Sequence, residues 1–245
     1  MLQGLRQDGC AFLASVTSAD EAVAALNSGA DLIDAKDPAT GALGALPRET
    51  LRAIIAAVAG RRPASATIGD LPADAELMCA AAEATASTGV DIVKAGFFGD
   101  GDPRAALAAL GQANLKGARL VAVLMADRNP DFSLLPALAT AGFAGVMLDT
   151  ADKSGGALPD VLSEARLVEF LRAAHANGLA AGLAGSLRRQ HIAALVNLRP
   201  GILGFRGALC GTGRASALDA ALVKAVRDAI DVAKAARIGH ERSVA

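Results

Sequence analysis

Apolar runs and helical segments alternate along this chain eight times. AFLASV (11–16) reads as a strand and SADEAVAALNSG (18–29) as a helix, with Ser18 suited to the N-cap and Gly29 to the C-cap. DLIDAKD (31–37) then precedes a helix over 47–59, with Pro47 in its first turn. The rhythm continues with ASATIGD (64–70) and a helix over 74–88, then DIVKAGF (91–97) and a helix over 102–110. RLVAVLMAD (119–127) is followed by 131–141, AGVMLDT (144–150) by 163–177, LAAGLAGS (179–186) by 187–197, and ILGFRGAL (202–209) by a long helix over 215–236. Short β-branched or apolar runs separated by amphipathic segments are the pattern of parallel strands covered by helices.

Eight such β–α units in 245 residues match a single (β/α)8 TIM barrel in number and in length. An open doubly wound sheet is the competing architecture, but no G-x-G-x-x-G follows the first strand. No Pro/Gly-rich linker divides the chain, so residues 1–236 read as one barrel domain and 237–245 as a frayed tail.

Composition narrows the function classes. The net charge is −1 with no basic block, and Trp and Tyr are absent, which argues against nucleic acid as a partner. The stretch MLQGLRQDGC is polar and lacks a signal-peptide core, and no apolar run is long enough to span a membrane. Cys10, Cys79 and Cys210 are scattered without CxxC spacing, which fits a reducing compartment and a cytoplasmic location. His175, His191 and His240 lack metal-ligand spacing. The apolar composition, poor in aromatics, is compatible with a homo-oligomer.

Charge gathers at the C-terminal ends of the strands, where barrels of this kind carry their chemistry. Asp34 and Lys36 end the second strand, Lys94 the fourth, Asp149 the sixth with Lys153 just beyond, and Arg206 the eighth. A lone lysine at a strand end is commonly a surface residue that extends its amine to water. Here Lys36 and Lys94 both sit inside apolar runs on alternate strands and can point to one barrel mouth. Two neighbouring, partly desolvated amines lower one another's pKa, and an unprotonated lysine attacks carbonyls to form a Schiff base. Asp34 shares the strand face of Lys36 and is placed to hold it; Asp149 and Lys153 form a second acid/base pair. Asp37, Asp70 and Asp152 read as turn or cap acids.

Phosphate is the ligand class the loops suggest. AGLAGSL (181–187) carries Gly185 and Ser186 after the seventh strand, and GFRGALCGTGRAS (204–216) carries Gly207, Gly211 and Gly213 after the eighth. Those two loops, with helix N-termini behind them, are the usual phosphate site of the fold, and Arg206 is placed to add a charged fork. A small phosphorylated molecule is therefore the expected partner.

The motifs GADLIDAKDPATGALGA (29–45), SATIGD (65–70), DIVKAGFFG (91–99), VMLDTADKSGGAL (146–158), GLAAGLAGSL (178–187) and GFRGALCGTGR (204–214) run through nearly the whole chain. In them the sequence resembles the (5-formylfuran-3-yl)methyl phosphate synthases, which make the furan precursor of methanofuran and of related one-carbon carriers. The resemblance implies a (β/α)8 barrel that joins two glyceraldehyde 3-phosphate molecules, releases phosphate and water, and uses no metal or organic cofactor. It implies Lys36 of the D-x-K-x-P motif as the Schiff-base lysine, with Asp34, Lys94, Asp149 and Lys153 around it and Gly185–Ser186 and Arg206–Gly207 at the substrate. ADRNPD (126–131) departs from the archaeal pattern, so the resemblance assigns no role to Asp127 or Arg128. An ordinary class I aldolase and a non-catalytic phosphometabolite binder are the competing readings.

Overall fold

A computed structural model describes the backbone of residues 9–244 and the side chains through 239. The first eight residues, on which the reading of a polar start rests, lie outside the described residues, as does the side chain of His240. Eight parallel strands close a barrel in chain order: β1 (Ala11–Val16), β2 (Leu32–Ala35), β3 (Ala64–Thr67), β4 (Ile92–Gly96), β5 (Arg119–Met125), β6 (Gly145–Asp149), β7 (Ala180–Leu183) and β8 (Ile202–Phe205). β8 pairs back onto β1, with Leu13 opposite Gly204, and this closure decides for the TIM barrel over the open sheet.

Helices α1 (Ala19–Asn27), α2 (Arg48–Val58), α3 (Ala75–Ala86) and α4 (Pro103–Leu110) follow the first four strands. Their starts are set locally. Ser18, Asp74 and Asp102 accept backbone N–H groups from the first turns of α1, α3 and α4. The expected helix over 131–141 is a 3₁₀ turn followed by the short α5 (Leu135–Thr140). An unforeseen turn of helix, α6 (Leu158–Val161), precedes α7 (Glu164–Ala176). The segment 187–197 opens with a 3₁₀ turn and becomes α8 (Ile192–Asn197) only afterwards. The last helix, α9 (Ala220–Val244), starts five residues later than the sequence suggests and stays helical past Ala236, where a frayed tail was expected.

The core has two parts. Phe12, Ile33, Val93, Leu124 and Phe205 point outward from the strands into a shell shared with the helices. Leu13, Leu32, Ile92, Val121, Met147 and Ile202 point inward and plug the barrel floor. Side chains alternate along a strand, so the next inward positions are found two residues on. Leu13 is followed by Ser15, Leu32 by Asp34 and Lys36, Ile92 by Lys94, and Met147 by Asp149. On β2, β4 and β6 the inward face therefore changes from apolar floor to charged mouth, whereas β5 stays apolar through Val123 and Met125. No helix among the described residues is long and apolar enough to cross a membrane.

Candidate active site

The mouth of the barrel opens into a cavity of about 260 Å³. Asp34, Lys36, Lys94, Asp149 and Lys153 all border it, as do Gly185, Ser186, Arg206, Gly207 and Gly213. Gly211, proposed for phosphate on sequence grounds, is exposed and does not border the cavity.

Asp34 is completely buried, and the strand register explains how it is kept there. Ser15 on β1 and Ser65 on β3 both stand opposite it in the ladder. Ser65 Oγ donates to Asp34 Oδ1 at 2.6 Å and Ser15 Oγ to Oδ2 at 3.1 Å. Lys94 Nζ completes the shell at 3.0 Å from Oδ1. Burial pushes the Asp34 carboxyl up, but Lys94, then Lys36, then the Ser65 hydroxyl bring it below the ordinary aspartate value. Lys94, not Lys36, is thus the amine that Asp34 grips. Residues i and i+2 share a strand face but are separated along the strand by about 6–7 Å, so Asp34 lies one layer beneath its neighbour.

Lys36 follows the last residue of β2, its backbone N–H still bonded to Val16 O. Its amine lies 3.5 Å from Asp149 Oδ2. Lys153, one helical turn beyond Asp149 in sequence, holds the other carboxylate oxygen at 2.6 Å and also donates to the Thr150 carbonyl. The Thr150 N–H donates to Asp149 Oδ1 at 2.8 Å. Against the upward push of burial, Lys36 and Lys153 hold the Asp149 carboxyl well below the usual carboxylate range. The Lys153 amine is shifted down, by burial first; Asp149 opposes that shift, and the positive charges of Lys36 and Arg214 reinforce it.

The glycine loops sit on the other flank. Gly185 has φ +105°, and a Cβ there would lie 2.8 Å from Thr150 Cγ2 and 2.9 Å from Thr150 N. Only glycine allows the loop after β7 to pass so close to the loop that carries Asp149 and Lys153. Ser186 follows at φ +48° and donates to the Lys153 carbonyl at 3.3 Å. The N-terminus of α9 is not a free anion site, because Asp219 accepts the Ala221 and Leu222 N–H groups.

Arg206 does something other than grip an anion. Its Nε donates to Arg214 O, Nη1 to Ser15 O and Glu21 Oε2, and Nη2 to Glu21 Oε1 and Ser216 O. All five guanidinium donors are engaged. Glu21 in turn accepts the Thr17 and Leu218 N–H groups. The pair ties the start of α1, the end of β8 and the segment 214–218 into one buried knot. Arg214 borders the cavity with donors to spare, giving one bond, from Nη2 to Gly41 O at 3.1 Å, and the exposed Arg188 borders it too.

Ser15, Ser65, Glu21 and Arg214 were not singled out from sequence. A serine inside an apolar strand was the available signal for the first two, and the arginine closing the glycine-rich stretch for the last. Asp127, left without a role, accepts the Ala151 and Asp152 N–H groups at 2.8 and 2.7 Å and so fixes the loop that presents Lys153. Asp70, read as a turn acid, does the same for Ala42 and Leu43. Among the described residues no group of three His, Cys, Asp or Glu side chains is placed to hold a metal ion.

Six cations and two carboxylates border the cavity; Glu21 cancels Arg206, leaving a formal excess of three positive charges. Fold and site together define a TIM-barrel enzyme with a lysine–carboxylate centre. Thermus thermophilus phosphoribosyl anthranilate isomerase superposes with a TM-score of 0.65 at 17% identity, over 91% of this chain and 98% of that one, a likeness of fold. A sequence profile described as 4-HFC-P synthase matches residues 12–227, and the chain belongs to that family. A Methylorubrum extorquens relative is 46% identical over 213 residues, covering 86% of this chain and 88% of its own. The (5-formylfuran-3-yl)methyl phosphate synthase of Methanosarcina mazei is 34% identical over 224 residues, 87% and 96% of the two chains. That of Methanopyrus kandleri is 36% identical over 213 residues, 82% and 90%.

Proposed function

We propose that this protein is a lyase that condenses two glyceraldehyde 3-phosphate molecules to (5-formylfuran-3-yl)methyl phosphate, in the biosynthesis of a methanofuran-type cofactor. The balance of atoms requires loss of one phosphate and two waters. The observation that carries the reading is the pairing of Lys36 with Asp149 in a cationic cavity, within a chain of this family.

Lys36 is the nucleophile. Its amine must give up a proton to attack a triose carbonyl, and Asp149 Oδ2 at 3.5 Å is placed to take it. Lys36 is the foremost charge holding Asp149 acidic, so the carboxylate becomes a stronger base as the amine loses its proton. The iminium that follows acidifies the adjacent carbon, which favours both aldol addition and β-elimination of phosphate. Lys94 on its buried Asp34 and Asp149 are the general acid/base groups, and Lys153 balances charge. The backbone around Gly185, Ser186, Gly207 and Gly213, with Arg214, supports the phosphate that is retained.

Incubation with glyceraldehyde 3-phosphate should yield a product absorbing in the near ultraviolet whose mass carries one phosphate. Borohydride should trap a triose adduct on the peptide containing Lys36, and Lys36→Arg, which keeps the charge but not the nucleophile, should abolish it. An adduct without a furan product would point to an ordinary class I aldolase, and neither adduct nor product to a binding protein.

A further inference from the structure

We propose a second phosphate-binding subsite on the outer side of Lys153 and Arg214, completed by Arg128, that holds the second triose phosphate while the first is bonded to Lys36. The inference rests on the condensation proposed above and concerns where its two phosphates sit.

In the proposed order, aldol addition precedes β-elimination, so both phosphates are bound when the carbon–carbon bond forms, and each carries close to two negative charges. One glycine-lined pocket cannot take both, because like charges at short range repel strongly in a partly dry site. The cavity at the barrel mouth offers one set of anion partners around Gly185, Ser186 and Gly213. A second, more open cavity of about 510 Å³ adjoins it, and Lys153 and Arg214 border both. On the outer side these two cations are joined by Arg128, from the 3₁₀ turn (Ala126–Arg128) that follows β5. Arg128 is exposed and donates no hydrogen bond among the described residues; Arg214 donates one, to Gly41 O. Both retain planar N–H forks that match a phosphate.

Two acids also border the outer cavity, and both are occupied. Asp70 takes the Ala42 and Leu43 N–H groups. Asp152 takes the Ser154 N–H and hydroxyl, with Arg128 acting on it electrostatically. Lys153 and Arg214 belong to both cavities, so the cation that the outer side adds of its own is Arg128, and the acids there have oxygens engaged by N–H and hydroxyl groups. The shared pair, Lys153 and Arg214, then stands between the two phosphates and screens one from the other. The sequence from 126 to 131 carried no assigned role, and the arginine that ends the turn after β5, beside the Lys153 loop, acquires one here.

The experiment has two arms. Calorimetric titration with inorganic phosphate should show two sites per chain in the wild type and one in Arg128→Gln. A single site in the wild type, or two unchanged in the variant, overturns the subsite. In the second arm, Arg128→Gln should form the borohydride-trapped single-triose adduct on Lys36 as the wild type does. Its KM for condensation should rise about tenfold, the loss of a charge-assisted hydrogen bond, with partial recovery in Arg128→Lys. An unchanged KM, or adduct formation lost in step with turnover, also overturns it. Absence of any adduct in the wild type would instead sink the condensation reading, whatever the phosphate titration shows.

Discussion

Lys36 and Asp149 are 113 positions apart in the chain, stand on opposite sides of the strand ring at β2 and β6, and meet with Nζ 3.5 Å from Oδ2. The contact exists only because the barrel closes, and it sets the proposed nucleophile against its proposed proton acceptor. Asp149→Asn keeps the size and removes the charge. We expect kcat to fall by roughly 10²–10⁴-fold, the usual contribution of a general base, with the circular dichroism spectrum retained. An unchanged kcat would remove Asp149 from the mechanism.

The buried carboxylates make the fold acid-sensitive. Asp34 and Asp149 are both held below the ordinary aspartate value in the folded state. The unfolded chain therefore takes up more protons than the folded one as pH falls through about 4. The stabilisation is complete above that value and is lost progressively below it, toward the folded-state values. Urea midpoints measured from pH 7 downward should decline on the acid side, and the decline should be shallower in Asp34→Asn, which has one fewer such group.

The Arg206–Glu21 pair is buried, with side chains 6% and 11% exposed. Removing one partner strands the other charge, at a cost of about 3–5 kcal/mol. Arg206→Met and Glu21→Met alone should each lower stability by that order in urea denaturation, and the double variant by less than the sum. Additive losses would mean that the two do not act as a unit.

Gly185→Ala tests the close approach of two loops. The new methyl would meet Thr150 at 2.8 Å, in a backbone conformation that disfavours side chains. A loss of about 1–3 kcal/mol is expected from the strain. Because the Thr150 N–H also positions Asp149, kcat should fall along with Tm. A Tm drop with full activity would separate the loop from the centre.

Asp127 grips two successive amides of the Lys153 loop without touching the cavity. Asp127→Ala should leave the barrel folded by circular dichroism but lower kcat about 10²-fold, as misplacing a catalytic group does, with KM for glyceraldehyde 3-phosphate changing less. Asp127→Asn, which keeps one acceptor oxygen, should recover part of the loss.

The barrel itself was legible because each strand of a parallel sheet covered on both sides is an apolar run, and each helix an amphipathic one. Strand ends were legible too: Asp34, Lys36, Lys94 and Asp149 are charges in places where burial would otherwise forbid them. Pairing was not. The sequence put Asp34 beside Lys36, whereas the register stacks Asp34 between Ser15 and Ser65 and gives it Lys94. Arg206 looked like a phosphate ligand because it opens a glycine-rich loop; Glu21, 185 positions earlier, engages it instead.

What the chain alone determined, then, was its periodicity, and through it the eight β–α units and the end of the barrel where charge collects, since local side-chain direction follows from backbone geometry. Which amine meets which carboxylate, which arginine is locked by Glu21, and how Asp70 and Asp127 brace neighbouring loops were decided by closure of the ring. Those contacts join residues distant in sequence, and their geometry depends on strand stagger and loop packing that no local pattern encodes.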